Sequence, residues 1–205
     1  MSGLIYLDHA ATTACDPGAV QAMLPWFSEA YGNPSTMYSI GAAAAKAVRH
    51  AREQIAQTLG TGPEEIFFTS GGTESDNWAL KGIAQSLGTK GHHLITTKIE
   101  HPAVLESCAF LEKSGYEITY LDVDSRGQIS LPQLEEAIRP DTILISVMYA
   151  NNEIGTVEPV RQIAETAHRH GILFHTDAVQ AYGQIPISTQ EDGIDLLSAS
   201  GHKFY

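Results

Sequence analysis

From about residue 64 onward, short apolar runs alternate with longer stretches in which apolar residues return every three or four positions. The runs cover residues 65–70, 92–99, 117–123, 141–150, 173–178 and 196–200, and are rich in Ile, Val, Leu, Phe and Thr. Such runs read as buried parallel strands. Between them, Trp78, Leu80, Ile83, Ala84 and Leu87 mark one helical face. Val104, Leu105, Cys108 and Leu111 mark a second, with Pro102 at its start and Gly115 past its end. Ser130 and Gln133 read as a capping box opening a helix that buries Leu131, Leu134 and Ile138. Val160, Ile163, Ala164 and Ala167 mark the next helix, closed by Gly171. Upstream, Asp16-Pro17 caps a helix with Val20, Met23, Leu24 and Phe27 on one face. A further helix runs from about Ile40 to Leu59 and ends at Gly60. The intervening loop, residues 31–36, is strongly turn-forming. Strand–helix alternation predicts an α/β fold with a mostly parallel central sheet flanked by helices. Ligands of such sheets bind at the carboxyl ends of the strands.

Composition narrows the class. A chain of 205 residues can bury a core and hold one large domain, or one domain plus part of a second. No run approaches the roughly 20 apolar residues of a membrane helix. The stretch Met1-Ser2-Gly3-Leu4-Ile5-Tyr6 has no basic region and no signal-length apolar run. Cys15 and Cys108 are too few for a disulfide framework or a zinc site, so a cytoplasmic, reduced protein is expected. The formal net charge of −12 disfavours binding to nucleic acid or anionic membranes, but leaves room for a local phosphate pocket. His92-His93 and His168-x-His170 lack carboxylates or cysteines at metal spacing, so no metal is expected.

Four turns carry candidate chemistry, each with a plainer reading beside it. Thr69-Ser70-Gly71-Gly72-Thr73-Glu74-Ser75 follows a strand and opens a helix. Its glycines and free N–H groups suit a phosphate, or simply a tight turn. Neither a dinucleotide nor a P-loop spacing occurs. Asp177 ends an apolar strand, either as a turn-former bonding its own backbone or as a carboxylate that keeps a pyridine nitrogen protonated. Gln180 follows three residues on, in reach of a phenolic oxygen of the same ring. Lys203 alone would read as a surface lysine, but Ser200 and His202 flank it and a buried strand precedes it. In a desolvated site its amine becomes nucleophilic towards an aldehyde. His101 reads as a helix cap or as an imidazole stacked on a cofactor ring. The 151–156 segment reads as a turn or as a source of an amide aimed at cofactor or substrate.

In this order the turns resemble one family: the cysteine desulfurases of the pyridoxal-phosphate-dependent fold-type I, class V aminotransferase superfamily. The matching stretches are residues 6–13, Gly32-Asn33-Pro34-Ser35, residues 69–77, 100–104, 148–156, 175–180 and 198–203. The closest likeness is to the group that supplies sulfur for iron–sulfur clusters. The resemblance implies that Lys203 holds pyridoxal 5'-phosphate covalently and shuttles protons. His101 would stack on the ring and assist acid–base steps. Asp177 would pair with the pyridine nitrogen, Gln180 with the phenolic oxygen, and Asn152 with cofactor and substrate. Gly72, Thr73, Ser200 and His202 would hold the phosphate. The family reaction takes sulfur from L-cysteine, leaving alanine and an enzyme persulfide, in a homodimer that passes sulfur to a scaffold or other acceptor protein.

Two departures from the family pattern bear on this. Tyr38 stands where many relatives carry a histidine. Family members are also nearly twice this length, so the resemblance implies an incomplete fold. Residues 1–15 would belong to a small domain and 16–205 to the cofactor-binding domain. The persulfide cysteine and the arginine for the substrate carboxylate would lie on a complementary C-terminal polypeptide. That piece would also insert an antiparallel strand between the 65–70 and 196–200 strands. The alternatives are another class V enzyme, a selenocysteine lyase or a transaminase, or a non-catalytic truncated fold partner.

Overall fold

The computed structural model describes Gly3 and residues 5–205. The readings made on Met1, Ser2 and Leu4, including that part of the 1–15 segment, lie outside the described residues. The chain divides into two compact units: Thr69–Gly201, and the residues up to Phe68 together with His202–Tyr205.

The Thr69–Gly201 unit is built on a five-stranded parallel sheet. Its strands are β1 (His93–Thr97), β2 (Glu117–Leu121), β3 (Thr142–Ser146), β4 (Leu173–Asp177) and β5 (Leu196–Ser198). They lie in the order β2-β1-β3-β4-β5. Helices α3 (Gly72–Leu87), α4 (Pro102–Lys113), α5 (Leu131–Ala137), α6 (Val160–Arg169) and α7 (Thr189–Asp192) accompany them. The first crossover, β1–α4–β2, moves one way along the sheet, and the remaining three move the other way. Right-handed connections therefore put α4 on one face and α5, α6 and α7 on the other. The packing agrees: α3 meets α4 and strands β3 to β5, while α6 meets β4, α5 and α7.

The core on the α3 side joins Leu80 and Ala84 to Leu94, Val104, Cys108, Leu111, Ile143 and Leu144. Those are the apolar positions at helical spacing, meeting the apolar runs of β1 and β3. His93 is buried in the same sheet. Its Nδ1 is 2.7 Å from Thr142 Oγ1 and its Nε2 is 2.8 Å from Thr119 Oγ1, so the ring ties β1 to both neighbours. Burial lowers its pKa, which keeps it a neutral core histidine.

Each ladder is shorter than the apolar run that announced it. The trailing residues leave the sheet at its carboxyl end and become the loops described below. Backbone bonds still hold them, since Val147 N donates to His175 O (3.1 Å) and Tyr149 N to Asp177 O (2.9 Å). Helix α5 stops at Ala137, so Ile138 lies past its end and only Leu134 is buried. The Ser130 hydroxyl caps it by accepting from Gln133 N at 3.4 Å.

One expected strand does not form. Residues 63–65 make a 3-10 turn, and the apolar stretch after it joins no ladder. Phe67 and Phe68 are both more than half exposed. A strand exists through its partner's hydrogen bonds, and an apolar run alone cannot supply them. Among the described residues β5 also pairs on one side only.

In the other unit, α1 (Pro17–Ser28) is capped by Asp16, whose Oδ1 accepts from Gly18 N at 2.7 Å. No residue of α1 is buried, so the Val20, Met23, Leu24 and Phe27 face is solvent-exposed. Helix α2 (Ser39–Leu59) ends at Gly60, which is left-handed at φ 70°, as a helix stop favours. The loop before α2 closes against it at Gly41, where a Cβ would lie 1.9 Å from Thr36 Oγ1.

Leu80 is wholly buried between α4 and the sheet. Leu80→Ala is expected to cost about 2–5 kcal/mol. Chemical denaturation measures this, and a loss below about 1 kcal/mol would remove α3 from the core.

Candidate functional site

Two loops and one helix start meet at the carboxyl ends of β4 and β5. The residues after β4 turn sharply: Asp177 is 4% exposed, and its Oδ1 accepts from Val179 N at 2.9 Å. The turn-forming reading of Asp177 is therefore correct. Asp177 is in register with Ser198 of β5, and Ser200 follows two residues on, also buried. Helix α3 begins at the same place. A Cβ on Gly72 would lie 2.8 Å from Val179 Cγ2 and 3.6 Å from Ser200 Cβ. Only glycine allows that approach, and it brings the first N–H groups of α3 to the Ser200 loop. Thr73, next on α3, is exposed, as a ligand-facing residue of the first turn would be.

The loop after β1 is fixed by buried polar groups. Glu100 Oε1 accepts from Thr97 Oγ1 at 2.8 Å and from Met148 N at 3.0 Å, so it ties the end of β1 to the end of β3. Burial, opposed by those two bonds, pushes its carboxyl up to about 8. His101 follows and caps α4, with Nδ1 accepting from Ala103 N at 3.1 Å. In the neutral ring this bond leaves the proton on Nε2. The ring is exposed, so the capping role leaves its outer edge open to solvent.

After β3, the two adjacent asparagines divide their work. Asn151 is structural: its Nδ2 donates to Ile99 O (2.9 Å), and its Oδ1 accepts from Glu153 N (2.8 Å) and Ile154 N (3.0 Å). It thereby locks the 98–101 loop to the 151–156 turn. Asn152 is half-buried and donates to Glu153 Oε1 at 3.0 Å. Gln180 is half-buried in the turn after Asp177.

His202 and Lys203 belong to the other unit. There Lys203 Nζ donates to the carbonyls of Ala10 and, at 3.0 Å, Ala11. His202 Nδ1 is 3.1 Å from Thr12 Oγ1, and its carbonyl accepts from Thr13 N at 2.8 Å. Both side chains are thus tied to the 10–13 segment.

The residues that the sequence reading passed over are the buried polar ones: Asp76, Glu100, Ser146, His175 and Ser198. Two had a signal. Asp76 stands four and eight residues before Leu80 and Ala84, on the buried stripe of α3. His175 stands two residues before Asp177, on the same face of β4. Among the described residues no cluster of three or more His, Cys, Asp or Glu side chains could hold a metal ion. Among those residues no helix is long and apolar enough to cross a membrane.

A parallel sheet with a helix start, a buried carboxylate and a capping histidine at its carboxyl edge is an α/β fold of the kind whose ligands, as a rule, sit at that edge. The chain belongs to the class-V aminotransferase family, whose model matches residues 5–205. It is 54% identical over 201 residues to a cysteine desulfurase IscS from Dictyoglomus turgidum, covering 98% of this chain and 51% of the relative. A cysteine desulfurase IscS from Clostridium botulinum is 52% identical over 205 residues, with 100% and 52% covered. A solved structure of SspA in complex with cysteine superposes with a TM-score of 0.95 at 46% identity, covering 98% of this chain and 58% of that one. The chain spans about half the length of the curated relatives it matches.

The close approach at Gly72 is testable by itself. Gly72→Ala should destabilise the fold by about 1–3 kcal/mol, because Val179 must move. An unchanged denaturation midpoint would show that the α3 start is not seated on the Val179 turn.

Proposed function

We propose that the chain is the cofactor-binding half of a pyridoxal-phosphate-dependent cysteine desulfurase. The observation that carries the reading is the seating of Gly72 against Val179 and Ser200 beside the buried Asp177 carboxylate. A helix start and a hydroxyl suit a phosphate, and a buried carboxylate one turn away suits a pyridinium. The names of the similar proteins and the bound cysteine of the SspA structure support the substrate. Pyridoxal phosphate, when bound, supplies an electron sink for bonds at the substrate α-carbon.

The chain's own residues then take these roles. Gly72, Thr73, Ser200 and His202 hold the phosphate. Asp177 holds the proton on the ring nitrogen, with its carboxylate fixed by Val179 N. Gln180 donates to the phenolic oxygen. Asn152 orients cofactor and substrate. Lys203 binds the aldehyde carbon and moves protons. His101, fixed through Nδ1, offers Nε2 for acid–base steps. L-Cysteine is the substrate and L-alanine a product, with sulfur leaving through a persulfide on a cysteine outside this chain. Residues 16–205 form the cofactor-binding domain, and 1–15 belong to a smaller domain. The complete protein is a cytoplasmic homodimer that passes sulfur to an iron–sulfur scaffold or another acceptor.

With the second half supplied and a thiol reductant present to release the persulfide sulfur, the protein should give alanine and sulfide in equal amounts from L-cysteine. After borohydride reduction the mass of the cofactor should stay on wild type and be lost from Lys203→Ala. Asp177→Asn should keep phosphate affinity but lower activity by at least about tenfold, since an amide cannot hold the pyridinium charge. Full activity of Lys203→Ala would sink the mechanism. Conversion of cysteine to its 2-oxo acid, dependent on an added 2-oxo acid acceptor and with the sulfur retained, would favour a transaminase, and activity only on selenocysteine would favour the lyase.

The one-sided pairing of β5 and the half-length coverage support a complementary polypeptide. It would cover the β5 edge and bring the persulfide cysteine and a carboxylate-binding arginine. An unpaired apolar edge invites aggregation. Intact-mass measurement of a monodisperse preparation should find the second piece beside residues 1–205. A folded, monodisperse sample of residues 1–205 alone would favour the non-catalytic fold partner.

A further inference from the structure

Four buried polar side chains form one line beneath α3. Ser146 Oγ of β3 lies 2.8 Å from His175 Nδ1, and His175 Nε2 lies 3.0 Å from Ser198 Oγ of β5. Asp76 of α3 sits at the end of this line, where the nearby Ser198 hydroxyl favours its charged form. His175 is wholly buried and Asp76 is 1% exposed. The second carboxyl oxygen, Asp76 Oδ1, has no hydrogen-bond partner. Its nearest ring nitrogen, His175 Nε2, is 3.7 Å away, beyond hydrogen-bond distance. No lysine or arginine pairs with Asp76 among the described residues. An ionised Asp76 would be a second buried anion near Asp177, with one donor and no cation.

Two ways out exist, and the geometry separates them. A proton on His175 would make an ion pair, but both ring nitrogens are already spent on serine hydroxyls at good distance. Burial also lowers the His175 pKa to about 3. A proton on Asp76 needs no new partner. Between the two aspartates, Asp177 has a backbone N–H on its carboxylate, which favours its charged form, whereas Asp76 has a single hydroxyl. Burial first, then the Asp177 charge, pushes Asp76 up to about 8. The other groups around this line are Glu100, on the α4 side and held towards its neutral form by burial, and the Cys108 thiol of α4, pushed up to about 12.

We infer that Asp76 is a positioning residue: it carries a proton, closes the Ser146–His175–Ser198 line at α3, and leaves Asp177 as the ionised carboxylate of the pair. Its meaning for catalysis rests on the reading of Asp177 as the cofactor's acid, but the proton on Asp76 does not.

The experiment therefore uses cofactor-free protein. Infrared difference spectra between wild type and Asp76→Asn near pH 6.5 should show loss of a protonated carboxyl C=O band. Loss of an ionised carboxylate band instead would mean an ion pair with His175 and overturn the proposal. Should Asp76→Asn fail to fold, carboxyl carbon NMR of aspartate-labelled wild type reads the same property. One buried aspartate should titrate near pH 8, and titration of every aspartate below about pH 5 overturns it.

Stability gives a second readout with a definite sign. The folded pKa lies above the unfolded one, so the neutral carboxyl's contribution is fully present at acid pH. It is lost as pH rises from about 4 towards 8. The melting temperature of Asp76→Asn minus that of wild type should rise by several degrees across that window and then level off. A difference that stays flat or falls refutes the protonated state. Asp177→Asn should move the Asp76 midpoint to lower pH, because it removes the neighbouring charge. An unmoved midpoint would uncouple the two residues and overturn the positioning role. Retention of the cofactor mass on wild type after borohydride reduction tests the cofactor reading separately, and its absence would overturn that reading without touching the proton on Asp76.

Discussion

Strand β4 places two polar side chains, His175 and Asp177, on one face beneath a helix, and the rest of the unit accommodates them. A strand in the middle of a parallel sheet is buried on both faces, so each polar group it carries must find a partner inside. His175 finds one on each neighbouring strand, Ser146 on β3 and Ser198 on β5. That choice constrains register. Ser198 must lie beside Asp177, and Ser146 beside His175, as they do. A slip of one residue on either side would turn a hydroxyl to the opposite face and leave the imidazole without a partner.

Once that register is set, the placement of the loops follows. Because Ser198 is opposite Asp177, the chain emerges from β5 level with the carboxylate, and Ser200 arrives at the start of α3. Gly72 is then the point where helix, β4 turn and β5 turn come closest. Similar logic holds at the ends of β1 and β3. There Glu100 and Asn151 bond backbone across the gap and hold His101 and Asn152 at the sheet edge. His101 is exposed there and Asn152 half-buried, while Glu100 and Asn151, which hold them, are buried.

Much of this was legible in the sequence, for a physical reason. Strand and helix periodicities differ, so apolar runs and three-to-four spacing told the elements of the Thr69–Gly201 unit apart. Caps such as Asp16, Pro102 and Gly60 act locally, and they were read correctly. The failures share a cause too. Residues 65–70 have the composition of a strand, but strand formation depends on a partner elsewhere, which local pattern cannot report. The sequence puts Val20 and Phe27 on one face of α1, and whether such an apolar face is buried depends on what covers it. Ile138 fell outside its helix because α5 is only seven residues long.

The candidate site divides along the same line. Asp177, His101 and Gly72 stood out because turns and caps have local signatures, and the structure bears out those local roles. Asp177 bonds its own turn and still has acceptor capacity, and His101 caps α4 and still has Nε2. Asp76 and Glu100 went unnoticed because a carboxylate in sequence is read as charged and exposed. Nothing local reveals that it is buried. Their positions did carry a trace, since Asp76 interrupts the apolar stripe of α3 where a core residue belongs. A polar residue on a buried stripe must be partnered, neutralised or used. Glu100 and Asp76 each keep one buried oxygen without a partner, but Glu100 accepts from Thr97 and from Met148 N and thereby joins two loops, whereas Asp76 has no backbone donor and lies against the serine–imidazole line behind Asp177.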